Sequence, residues 1–243
     1  VSAPAPYFLT ADWRDLAMLN YEIEPSILTR HVPTGCELDS FRGRMFVSVV
    51  GFQFHRTRVR GIPFPFHTNF EEVNLRFYVR RKADGAWRRG VVFIKELVPR
   101  QAIALVARRL YGENYVALPM RHVVDRHVEG FAKTLTYEWR RAGKWEGLSL
   151  SFSGAPATPE DDTEETFITE HYWGYSLQAD RTTIEYQVEH PRWQVWHASG
   201  ARLSCDVAAL YGPEFVSALS GAPSSAFAAD GSPIVVRGGV RLT

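Results

Sequence analysis

The chain has 243 residues, 45% of them hydrophobic and 13% aromatic, enough to bury one sizeable core and too apolar for a disordered chain. Its formal net charge of +1 supplies no field to gather nucleic acid or an anionic membrane, and a mean hydropathy of -0.20 without a long apolar run excludes a transmembrane helix. Cys36 and Cys205 are the only cysteines, and no leader-like run begins at Val1. Reduced thiols in a cytoplasm are therefore expected, without a disulfide framework.

In chain order, an irregular lead-in, VSAPAPYFLTADW, precedes a first strand through LAMLNYEI. Glu24-Pro25-Ser26 starts a short helix, because proline suits the first helical position, and the VPTG turn ends it. MFVSVVGFQF, from Met45 to Phe54, is β-rich and apolar, and RGIPFPFHT is a Pro/Gly loop carrying aromatics. The clearest unit is a hairpin: Asn69 to Arg81, a turn at Ala83-Asp84-Gly85, and a return strand from Trp87 to Leu97. Pro99 opens a helix through QAIALVARRLYG, with Ile103, Val106 and Leu110 as its apolar stripe and Gly112 as its stop.

Strands are then predicted over Tyr115 to Val124, Phe131 to Arg140 and Trp145 to Phe152. The acidic segment PATPEDDTEE reads as a helix start at Thr158-Pro159-Glu160, running towards Trp173. Strands follow in TTIEYQVEH and RWQVWHASG, Asp206 caps a helix through VAALYGPEFVSAL, and AFAADGSPIVV reads as a closing hairpin. About ten strands and three or four helices make an α+β, mainly β chain, read as a single domain over residues 1–243.

Chemistry concentrates in EEVNLRFYV. Alternate strand residues face opposite sides, so Val73, Leu75, Phe77 and Val79 share one face and Glu72, Asn74, Arg76 and Tyr78 the other. A polar strand face is ordinarily solvated. If this face instead looks into a cavity, a carboxylate, an amide and a guanidinium would orient a small ligand, and a buried Glu72 would need a donor such as Arg76. The eight histidines are scattered, without metal-ligand spacing, and His122 and His127, five apart on a predicted strand, would point to opposite faces. His190, between Glu189 and Pro191 and near Trp193 and Trp196, is a candidate for a cavity rim, and Arg108 or Arg109 for reaching the polar strand face. No nucleophile elbow, P-loop or dinucleotide fingerprint is present, so neither metal nor cofactor is expected.

The segments LTADWRDLAMLNYEIEPSIL, VPTGCELDSFRGRMFVSVVGF, NFEEVNLRFYV, ARRLYGENY, TEHYWGYS, VEHPRWQVW and AFAADGSPIVV, taken in order, cover nearly the whole chain. In that order and spacing the sequence resembles the YqjF-like family, a domain of unknown function similar to the acetoacetate decarboxylase-like superfamily. The resemblance implies a cone-shaped β-barrel with flanking helices and an internal cavity. It does not carry the decarboxylase activity with it. In those enzymes a segment ending in Trp-Gly-Phe-Pro-Lys-Lys supplies the Schiff-base lysine; the similar segment here is ARRLYGENYV, which puts Tyr115 at the lysine's place and Val116 at its neighbour's. A lysine amine adds to a carbonyl to make an electron sink, and tyrosine cannot. The cavity glutamate of the decarboxylases corresponds under this resemblance to Glu72.

Three functional expectations follow. The first is a binding protein or enzyme that holds a small carboxylated or carbonyl compound in an internal polar cavity, with Arg76 clamping the anion, Glu72 accepting a hydrogen bond or proton, and Asn74, Tyr78, Tyr115, Arg108 and His190 around the ligand. The second is a lyase or hydrolase using Glu72 and a relocated Lys95, which alternates with Phe93 and Val91 in VVFIKEL. The third is a non-enzymatic interaction protein meeting its partner through RGIPFPFH. A small molecule is the expected partner, with no nucleic acid and no membrane, and the oligomeric state is left open.

Overall fold

The computed structural model describes residues 6–63, 67–102, 104–105, 112–125 and 133–242. The structure is mainly β. In chain order its strands are β1 (Tyr7–Glu22), β2 (Glu37–Leu38), β3 (Phe46–Val59), β4 (Ile62–Pro63), β5 (Phe70–Ala83), β6 (Ala86–Val98), β7 (Tyr115–Ala117) and β8 (Met120–Asp125). They continue with β9 (Lys133–Arg141), β10 (Lys144–Phe152), β11 (Trp173–Leu177), β12 (Thr183–Glu189), β13 (Val195–Ser204), β14 (Ser225–Arg237) and β15 (Val240–Leu242). Short helices span Pro25–Leu28, Glu164–Thr169, Val207–Leu210 and Val216–Leu219.

Seven strands pair in the order β12-β11-β6-β5-β3-β1-β14, and β14 returns to β12 through Val188↔Val236 and Glu189↔Val235. The ring therefore closes, which leaves its strands no free edge between neighbours. Beyond β14, the strands β13, β10, β9 and β8 extend the sheet as an outer layer. Leu135, Tyr137, Trp139, Leu148 and Leu150 of that layer share one buried cluster with Val49, Val73, Leu75, Phe77 and Val79, so they cover the outside of β3 and β5. Contact is close: a Cβ added to Gly51 would stand 2.6 Å from the Tyr137 ring.

The β5–β6 hairpin forms at the residues the alternation indicates, with Asp84 and Gly85 both at positive φ (49° and 79°). Two positive-φ residues give the turn whose twist matches antiparallel strands. Several expectations need correction. The closing hairpin is instead one strand, β14, paired along β1; Gly231 at φ 83° lies opposite Arg14, beside Asp15 at φ 53°, so both strands bend at one place. The stretch from Tyr115 to Val124 is two strands, parted at Leu118-Pro119: β7 runs parallel to β6, and β8 pairs antiparallel with β9. The helix expected from Thr158 starts at Glu164, capped by the Thr163 hydroxyl, which accepts from the Thr166 N–H, and stops before Trp173, which lies in the unforeseen strand β11. Asp206 does cap a helix, accepting from the Ala209 N–H at 3.1 Å, but Gly212 at φ 121° divides the segment into short pieces.

Gln101, Ala102, Ala104 and Leu105 are helical. The stripe of Ile103, Val106 and Leu110 lies outside the described residues, as do Arg108, Arg109, His127 and the Phe64 to Phe66 part of the aromatic loop. Cys36 and Cys205 are both free thiols. Among the described residues no helix is long and apolar enough to cross a membrane.

Candidate functional site

Residues from all seven ring strands line one cavity of about 150 Å³, among them Trp13 (β1), Phe52 (β3), Glu72 (β5), Phe93 (β6), Trp173 (β11), Tyr186 (β12) and Val236 (β14). Its walls are largely aromatic and aliphatic, with the polar groups gathered in places, so it is less polar throughout than the sequence suggests. Period-two alternation puts Glu72, Asn74 and Arg76 on this inner face, while Val73, Leu75, Phe77 and Val79 pack outward.

The acidic part of the cavity is built by three strands. Glu72 comes from β5, Glu96 from β6 opposite Asn74, and Tyr115 from β7 opposite Glu96; Glu113 stands just before β7. The Glu72 carboxyl accepts from the Asn74 amide at 3.1 Å and from the Tyr115 hydroxyl at 3.3 Å. The Tyr186 hydroxyl donates to Glu113 Oε1 at 2.5 Å. Burial penalises each charged form. It pushes Glu72 up to about 7 despite its two donors and the more distant Arg76, and Glu113 up to about 8. Glu96 rises well above the carboxylate range, through burial first and then through Glu113 and Glu72 beside it. The same burial and the same acids raise the Tyr115 hydroxyl.

The basic part lies further along β5. Arg76 Nη2 donates to the Ile168 carbonyl at 3.2 Å, its Nε is buried without a hydrogen-bond partner, and its guanidinium carbon is 5.7 Å from the centre of the Tyr78 ring. Both ring nitrogens of His171 are likewise buried and unpartnered. Burial first, and then Arg89 and Arg76, hold this imidazole well below its ordinary pKa. Thr169 and His171 reach the cavity because the Glu164–Thr169 helix ends against it, with Phe167 and Ile168 buried. His190 closes another wall, stacked on Trp193 with ring centres 4.3 Å apart, and burial lowers its pKa too.

The structure thus brings Glu72, Asn74, Arg76, Tyr115 and His190 to one cavity. Tyr78 is buried beside it, its hydroxyl 2.6 Å from Ser48 Oγ. Arg108 lies outside the described residues. Lys95 points the other way. The β5–β6 pairing runs Asn74↔Glu96, Leu75↔Lys95 and then Arg76↔Phe93, so Ile94 is an extra residue in the ladder. A bulge of this kind reverses the alternation of everything beyond it. Val91 and Phe93 face the cavity, Lys95 turns outward with its ammonium on the Leu210 carbonyl, and Glu96 takes the inward place. Sequence reasoning missed Glu96, Glu113, Tyr186 and His171; an acid inside the apolar run VVFIKELV was the available signal for Glu96.

A closed ring of strands with an outer layer falls in the acetoacetate decarboxylase-like fold class. The enduracididine biosynthesis enzyme MppR, complexed with the condensation product of pyruvate and imidazole 4-carboxaldehyde, superposes with a TM-score of 0.68 at 12% identity, over 100% of this chain and 91% of that one. The acetoacetate decarboxylase of Legionella pneumophila matches with a TM-score of 0.67 at 12% identity, over 100% and 90% of the two chains. An acetoacetate decarboxylase-like enzyme from Sphingomonas wittichii RW1 matches with a TM-score of 0.64 at 15% identity, over 98% and 94%. At these identities the likeness establishes the fold.

Within that class the chain belongs to the DUF2071 family, described as an uncharacterized conserved protein, whose model matches residues 10–233. It is 25% identical over 195 residues to the uncharacterized protein YqjF of Bacillus subtilis (strain 168), covering 79% of this chain and 76% of that one.

Proposed function

We propose that the protein binds a small carboxylated or carbonyl-containing molecule inside the ring of strands. In this reading Arg76 engages the anionic or carbonyl oxygen, His171 adds a neutral imidazole beside it, and Glu72 with Tyr115 meets the rest of the ligand. The observation that carries it is Arg76: a guanidinium lining the cavity, with a buried unpartnered Nε and, among the described residues, no carboxylate paired with it. A partly buried guanidinium is a forked donor that suits carboxylate geometry. MppR, a structure of the same fold, is also described in complex with pyruvate, which supports choosing 2-oxo acids as first probes.

The reading includes no Schiff base. Among the described residues lining the cavity there is no lysine, and Tyr115 holds the place that the resemblance gives to one. Acid–base chemistry at Glu72 is the second reading. It is favoured by a carboxyl held near 7, where one group both gives and takes a proton at neutral pH.

The test is a thermal-shift screen with pyruvate, acetoacetate, hydroxy acids and fatty acids on the wild type and on Arg76→Ala. A ligand that binds only the folded state raises Tm by mass action. The expected result is a Tm rise in the wild type that Arg76→Ala loses while remaining folded without ligand. Equal rises in both proteins, or none across the panel, would overturn the reading.

A further inference from the structure

We propose that the ligand of this cavity carries a cationic nitrogen as well as an acid group, so that it is a zwitterion of the ω-amino or guanidino carboxylate class. This rests on the reading of Arg76 as the anion-binding group and adds what the opposite end of the cavity recognises.

Among the described residues, neither charged end of the cavity is ion-paired. Arg76 stands without a carboxylate partner, and Glu72, Glu96 and Glu113 stand without a cation paired to any of them among the described residues. Arg76 lies four positions along β5 from Glu72, about 13 Å between their Cα atoms. Among the described residues, the side-chain atoms left without a hydrogen-bond partner at the acidic end are acceptors. Tyr115 and Tyr186 donate their hydroxyls to Glu72 and Glu113. The Asn74 amide donates to Glu72, which leaves its Oδ1 buried and unpartnered, as is Glu96 Oε2. Asn74 is 2% exposed and Glu96 1%. Buried acceptors of this kind are costly unless a donor meets them. An ammonium or guanidinium brings several N–H donors and the charge to offset the acids. Phe52, paired with Glu72, and the neighbouring Phe54 and Phe70 also line the cavity, a surface that accommodates alkyl chains and the faces of cations. A metal ion does not fit: among the described residues no group of acids and histidines has metal-binding geometry.

Among the described residues, the groups facing this end are Glu72, Asn74 and the more distant Arg76 from β5, Glu96 from β6, Glu113 and Tyr115 at β7, and Tyr186 from β12. Glu113 also walls a neighbouring cavity that Arg30 and His31 line. A cation selects the ionised acids, so its binding releases protons and strengthens as pH rises through the range in which Glu72 and Glu113 titrate.

Isothermal titration with 6-aminohexanoate, hexanoate and hexylamine, at about pH 6 and about pH 8.5, tests this. The expected result is that 6-aminohexanoate binds at least about ten-fold more tightly than either control at the higher pH, with a smaller margin at the lower. In Glu96→Gln, and in Glu96→Gln/Glu113→Gln, the affinities of 6-aminohexanoate and hexanoate should converge. Thermal unfolding of these variants checks that they are folded. Hexanoate binding as tightly as 6-aminohexanoate at both pH values would overturn the inference and leave the anion site standing. Hexylamine matching 6-aminohexanoate, or no binding by either acid, would overturn both.

Discussion

The two faces of β5 are both buried, and they differ in what burial achieves. On the outer face Val73, Leu75, Phe77 and Val79 meet the β9–β10 layer in a continuous apolar cluster. On the inner face Glu72, Asn74 and Arg76 border a cavity, and Asn74 Oδ1 and Arg76 Nε have no partner. One strand therefore carries a close-packed core on one side and unsatisfied polarity on the other. Burial of apolar area stabilises the first; desolvation penalises the second until a ligand supplies the missing contacts.

The comparison breaks most readily at Leu75, which is fully buried in the outer cluster. Leu75→Ala should cost about 2 to 5 kcal/mol in chemical denaturation, because the outer layer relaxes only in part around the space left. A loss below about 1 kcal/mol would mean that this face packs loosely.

Glu72→Gln should act oppositely and only with pH. Its folded pKa lies at about 7, above the ordinary carboxylate value, so the folded state holds a proton that the unfolded chain gives up. Stability from this group is complete below the unfolded pKa and is lost as pH rises towards 7. The variant should equal the wild type near pH 4 and exceed it by roughly 1 to 3 kcal/mol near pH 8. Denaturation midpoints at the two pH values decide it, and parallel profiles would place Glu72 in a wetter site.

Tyr115→Phe removes the 3.3 Å hydrogen bond to Glu72. It should cost about 1 kcal/mol and move the Glu72 titration, followed by carboxyl NMR, to higher pH, because that bond favours the ionised form. Lys95→Met marks the smallest effect. With its ammonium on the Leu210 carbonyl, outside the ring, Lys95 should leave Tm shifts by cavity ligands unchanged within error. Loss of those shifts would contradict the outward orientation.

Much of β5 was legible because it obeys local rules. EEVNLRFYV alternates from Glu72 onward, and Asp84-Gly85 fixes the register of its hairpin. The acidic end was less legible because it depends on pairings between segments far apart in the chain. Glu96 meets Tyr115 only through the parallel β6–β7 pairing, and Tyr186 arrives on β12, across β11. Periodicity also misdirected: it groups Lys95 with Phe93 and Val91, and only the extra residue at Ile94 reverses that grouping. AFAADGSPIVV carries a turn-like Asp-Gly pair, yet Asp15 and Gly231 bend the two strands together and β14 continues.

That extra residue makes the sign of the cavity a backbone property. Lys95 and Glu96 are sequence neighbours of opposite charge, and a single irregularity in the ladder decides which of them the interior contains. A slip of one position in β6 would exchange a carboxyl for an amine without altering composition, and would put a nucleophile where an acid now stands.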